Sequence, residues 1–148
     1  FYHHLKSKAG IVIESYSQCD AYFTETVYPS LAEDCTENAV LQYIACQMQY
    51  AMDFGVDSIL QIYKAQLTEG TDFFFSPERG LPLGLTRILA HLQQNGVIRS
   101  EKPAEDICRE ILVISRGVLY NWCQCKGNYD LKAFALELVS NYLKSYTA

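Results

Sequence analysis

Apolar residues recur every three or four positions along most of the chain, the period of helices that each bury one face. Glycine, proline and asparagine punctuate this pattern into about six segments. The first apolar run opens at Ile11, Val12 and Ile13, with Ser7 as its expected N-cap, and should end by Pro29. Ser30-Leu31-Ala32-Glu33 has the spacing of a capping box and predicts the start of a second, long helix at Ser30. That helix carries Val40, Tyr43, Ile44, Met48, Ala51 and Met52, and Gly55 is its expected stop. A third helix is predicted over 56–69, with Ile59, Leu60, Tyr63 and Leu67 on one face. Residues 71–84 hold three phenylalanines, two prolines and two glycines, and predict an irregular connection with one short helical turn at most. A fourth helix over 85–94 closes at Asn95-Gly96. The fifth begins around 100–103, where Pro103 suits a first turn, and stops at Gly127. Asp130 is the expected cap of the sixth, which should run to about Tyr146. No segment alternates with the period of two that strands need, so the fold class is all-α, a helical bundle.

The sixth segment is apolar on two faces. One stripe is Leu131, Phe134, Leu138 and Tyr142, and the other is Leu136, Val139, Leu143 and Tyr146. A helix that covers a core needs only one such stripe. The second face fits either the centre of a monomeric bundle or a four-helix dimer interface built from the last two helices. In the dimeric reading the interface residues are Leu119, Cys123, Leu136, Val139, Leu143 and Tyr146.

Composition sharpens the picture. With 148 residues and 49% hydrophobic content, one domain can bury a sizeable core. A net charge of −5 means that most of the chain is not a nucleic-acid surface. The six cysteines lie in apolar helical text and read as small buried groups of a reducing compartment, not as a secreted disulfide framework. The opening does not read as a secretory leader and no apolar run reaches membrane-spanning length, so the expectation is a cytoplasmic protein with no membrane contact. Cys123-Gln124-Cys125 is a poor metal motif, because residues two apart on a helix point about 200° apart. Glycine-rich phosphate loops, zinc-protease helices and nucleophile elbows are all missing from the text, so no catalytic residue, metal ligand or cofactor is expected.

The opening, Phe1-Tyr2-His3-His4-Leu5-Lys6-Ser7-Lys8, resembles the end of the helix-turn-helix in tetracycline-repressor-like (TetR family) regulators. In that family an aromatic-histidine-hydrophobic run closes the recognition helix, and a Lys-Ser-Lys turn leads into the next helix. Trp122 followed by Gly127-Asn128-Tyr129-Asp130-Leu131 is similar to the joint between the family's last two helices. Leu5 stands where phenylalanine is frequent, and Ala9-Gly10 where acidic helix starters are common.

The resemblance implies that residues 1–8 end a DNA-binding domain whose remainder lies upstream, and that 9–148 form a ligand-binding and dimerising body. Tyr2, His4, Lys6 and Lys8 would then touch DNA phosphates, which set register without reading sequence. It further implies a ligand-responsive bacterial transcriptional regulator, a repressor, with operator DNA, a small-molecule effector and a second copy of the chain as partners. A helical protein-protein interaction module without DNA binding is the alternative. An effector site needs apolar walls with a few convergent polar groups. Tyr43, Cys46, Gln47 and Tyr50 on the second helix offer these, with Tyr63, Phe74 and Trp122 to close the cavity. Each of these aromatics also fits an ordinary core position with its polar atom at the surface.

Overall fold

The computed structural model describes residues 8–69 and 76–147, and among these the chain is helical with no strand. A single bridge pairs Ile98 with Thr147. Helix α1 starts as Lys8–Tyr22, passes through a π-helical turn at Phe23–Val27 and finishes as Tyr28–Leu31. Then follow α2 (Asn38–Phe54), α3 (Val56–Glu69), α4 (Gly80–Gln94), α5 (Ala104–Gln124) and α6 (Leu131–Lys144). Helix α5 is the central strut and packs on α3, α4 and α6; α2 lies on α6, α3 and α4; α1 crosses α3 and α4.

The predicted all-α class holds, and several element ends fall where local chemistry put them. Gly55 ends α2 with φ 99°, a value that side chains with a Cβ rarely adopt. Beyond α5 the Gly127 amide donates back to the Trp122 carbonyl at 2.9 Å, with Gly127 at φ 73°. Asp130 caps α6 by accepting from the Ala133 amide at 3.0 Å. Helix α6 itself ends at Lys144, two residues before the expected Tyr146.

Two expectations are overturned. Ser30 does not cap a helix: its hydroxyl donates to the Val27 carbonyl at 2.7 Å, inside the last turn of α1. The π turn carries the chain past Pro29. In it the Tyr28 amide reaches the Phe23 carbonyl, and the wider turn accommodates a residue that has no amide of its own. Helix α2 starts instead after Asp34, whose carboxylate accepts from both the amide (2.8 Å) and the hydroxyl (2.6 Å) of Thr36. These bonds hold the Asp34 carboxyl below its ordinary pKa.

The second correction concerns 80–84, read as irregular but forming the first turns of α4. Pro82 sits within the first turn, where its missing amide costs nothing. The helix can begin there because its neighbours come very close. A Cβ on Gly80 would lie 2.4 Å from the Asp20 carbonyl oxygen, and one on Gly84 would lie 2.4 Å from the Tyr43 hydroxyl.

One apolar core runs from Phe23 through α2, α4, α5 and α6 to Leu143. A small satellite, Val12 and Ala65 with Ile13, Tyr16 and Ile62, joins the start of α1 to α3. At the far end of the bundle Lys102 pairs with Glu110 at 2.7 Å, and Tyr142 donates to the same carboxylate at 2.5 Å. The Lys102 bond and then the Tyr142 bond pull the Glu110 carboxyl below its usual range.

Candidate functional site

Where α1 crosses the bundle it leaves a cavity of about 90 Å³, set in a cleft of about 690 Å³ that includes the open mouth. Ser15, Tyr16 and Cys19 of α1 form one wall, and Gln47, Tyr50, Ala51 and Phe54 of α2 another. Ile59, Ile62 and Tyr63 come from α3, Arg79 and Leu81 from the start of α4, and Arg116 and Leu119 from α5. The helical repeat explains the assembly. Gln47, Tyr50, Ala51 and Phe54 follow one another at three, one and three residues, a single stripe on α2.

A buried carboxylate locks α1 in place beside this cavity. Asp20 takes two bonds from the Arg79 guanidinium, at 3.0 and 3.1 Å, and one from the Leu81 amide at 3.0 Å. The Arg79 and Asp20 side chains are only 8% and 13% exposed. Asp20 therefore neutralises a cation and satisfies one free amide of the first turn of α4 at once. The guanidinium also lies over the Tyr16 ring, 4.7 Å from its centroid. Tyr43, deeper still, donates to the Leu81 carbonyl at 2.8 Å and so fixes the same turn.

The walls carry no charge of their own at neutral pH beyond the two arginines. Burial, and then the neighbouring Asp20, pushes the Cys19 thiol up to about 12. Burial raises the Tyr16, Tyr50 and Tyr63 phenols as well. Asp20 cancels Arg79, whereas Arg116 forms no ion pair or hydrogen bond among the described residues. Gln47 Oε1 is a buried oxygen without a hydrogen-bond partner. Such atoms are rare in folded chains because an unpaired buried acceptor costs about 1–3 kcal/mol.

Of the ligand residues expected from sequence, Gln47, Tyr50 and Tyr63 meet in this cavity. Cys46 lies round the helix, in an outer groove with Tyr22, Gln49, Tyr50, Asp53 and Phe54. Tyr43 is 1% exposed and belongs to the core beneath. Trp122 is buried against Gly127, away from the cavity lining. Phe74 lies outside the described residues, as do Tyr2, His4 and Lys6; Lys8 is the first residue of α1.

Of the expected dimer residues, Leu119, Cys123, Val139 and Leu143 are 6%, 7%, 0% and 1% exposed in the single chain and pack in its core. Leu136 and Tyr146 are half-buried and pack on that core. The outward face of α5 instead presents Val113, Gly117 and Tyr120, and α6 presents Phe134. Cys123 and Cys125 face opposite ways, one buried and one exposed.

Sequence reasoning missed Asp20, Arg79 and Arg116. Arg116 alone left a trace, a cation between the apolar positions Leu112, Ile114, Val118 and Leu119. No family model, curated protein or solved structure matches the chain.

Proposed function

We infer that this chain is the sensing and dimerising body of a ligand-responsive bacterial transcriptional regulator of the TetR type, a repressor that releases DNA when a small molecule fills the α1 cavity. The observation that carries the reading is Gln47, whose buried amide oxygen has no hydrogen-bond partner, lining a cavity that has α1 as one wall. Residues 1–8 end the DNA-binding domain in this reading, and 9–148 form the body. Tyr2, His4, Lys6 and Lys8 lie on phosphates and lead directly into α1.

The Asp20–Arg79 clamp and the π turn after it are the fulcrum, and the part of α1 before Asp20 is the lever. A ligand acts as a signal only if it favours one lever position over the other. A homodimer completes the reading, and the exposed Val113, Gly117 and Tyr120 stripe supports it, with glycine allowing close approach of a second helix. Among the described residues no helix is long and apolar enough to cross a membrane, which accords with a cytoplasmic regulator.

The test is selection of genomic fragments by the full-length protein, followed by gel shift at increasing salt. Retention of a specific fragment, weakening as salt rises, is expected. If no fragment is held above competitor DNA, the regulator reading falls. The exposed α5 stripe would then favour the second reading, a helical interaction module without DNA binding.

A further inference from the structure

The polar groups of the cavity specify more than its existence, and this step rests on the effector-site reading above. Three groups there lack partners among the described residues: the Arg116 guanidinium, the Tyr63 hydroxyl and Gln47 Oε1. Two are donors and the third is an acceptor that cannot donate. Arg116 also borders an outer groove that contains Glu105 and Asp106, yet neither carboxylate is within ion-pair distance of it. The remaining walls are apolar or aromatic.

We propose that the cavity binds a small monocarboxylic acid with an apolar body and a hydroxyl donor, its carboxylate on Arg116 and Tyr63 and its donor on Gln47. A guanidinium presents two parallel N–H groups that match a carboxylate, and a phenol beside it adds a third donor. The Asp20–Arg79 pair is already neutral, so the site is short of one negative charge and takes a monoanion rather than a dianion or a cation. The cavity's 90 Å³ is smaller than a benzene-binding cavity of about 150 Å³. One end of the acid therefore extends into the cleft past Tyr50 and Phe54, which line both the cavity and the outer groove. Binding joins α2, α3 and α5 through one ligand whose body rests on the wall that Tyr16 and Cys19 of α1 supply, which gives the lever a reason to prefer one position.

Calorimetric titration tests the proposal with para-hydroxybenzoate and para-hydroxyphenylacetate, each against its neutral amide and against the acid lacking the hydroxyl. At least one hydroxy acid is expected to bind at millimolar concentration or below, with its amide weaker by about tenfold or more. Arg116→Gln should abolish the preference for acid over amide, and Arg116→Lys should retain part of it. Gln47→Leu should erase the preference for the hydroxy acid over the plain acid. Unchanged helical circular dichroism and a cooperative thermal transition confirm that each variant is folded. The proposal is overturned if no acid binds, if amides bind as well as acids, or if Arg116→Gln leaves the discrimination intact. Those outcomes are separate from the DNA selection: specific DNA binding with no acid binding defeats the ligand class and spares the regulator. Acid binding without any DNA binding does the reverse.

Discussion

The two ends of the molecule are held by different forces. Around α4, α5 and α6, Leu85, Leu89, Leu92, Ile107, Ile111, Leu131 and Leu143 are at most 1% exposed and form a dry, continuous core. The N-terminal part of α1 places one buried residue, Val12, in a satellite with Ala65 of α3, and otherwise rests on a cavity and an ion pair. Apolar burial is non-directional and scales with area, so the first end resists any displacement. A bidentate ion pair fixes one point and leaves the rest of a helix free to turn about it. Stability is thus concentrated away from the cavity, and adaptability beside it.

The largest effect should come from the core. Leu89→Ala is expected to cost about 4 kcal/mol, whereas Val12→Ala, losing two methyl groups' worth of burial, should cost about 1.5 kcal/mol. Urea unfolding of both variants checks this, and equal losses would break the comparison. Next is Asp20→Ala, which leaves the Arg79 cation buried beside Tyr16 and is expected to cost about 3 kcal/mol. Near-neutral behaviour there would mean that the clamp does not hold α1.

Alkali should separate the two ends more gently. The Cys19 thiol ionises at about 12 in the folded chain, against 9.0 ordinarily, so above pH 9 the unfolded chain loses its proton first. Stability contributed by this group is constant below pH 9. It then falls by about 1.4 kcal/mol per pH unit until the folded thiol ionises too. Urea midpoints at pH 8 and pH 10 should show that slope reduced in Cys19→Ala. A slope identical to that of the parent would sink the assignment. Smallest is Gln47→Leu, expected to raise stability by about 1 kcal/mol because it removes an unpaired oxygen. A loss of stability instead would mean that water satisfies Gln47 in the free protein.

Sequence legibility followed the range of the interactions. Gly55, Gly127 and Asp130 act within a few residues, and their helix ends were readable from those residues alone. Ser30 was misread because its capping pattern is local, while the π turn that carries α1 beyond Pro29 answers to the packing of Phe23 and Val27. The start of α4 at Gly80 depends on Asp20, sixty-one residues before Leu81, and no local signal announces such a cap. In the cavity, the polar-aromatic interleaving of α2 pointed to Gln47 and Tyr50, which line it. The same pattern also pointed to Tyr43, which lies in the core beneath, because 3.6-residue periodicity finds the inward side of a helix but not how deep each position lies. Of the charged groups brought together from three helices, Asp20 and Arg79 had no pattern to read, and Arg116 showed only as a cation among apolar positions.

The π turn at 23–27 also sets a phase. One residue more than an α-helical turn needs is wound into α1, so the segment after it is rotated by about 100° and displaced by about 1.5 Å from where ideal winding would put it. Ser15, Tyr16 and Cys19 look into the cavity on one side of this dislocation, and Tyr28 and Leu31 pack on the core on the other. A single-residue deletion within the turn would leave composition, charge and helix content almost unaltered. It would nonetheless put the two halves of α1 out of step, so that the rod could satisfy its seat on the bundle or its view of the cavity, but not both.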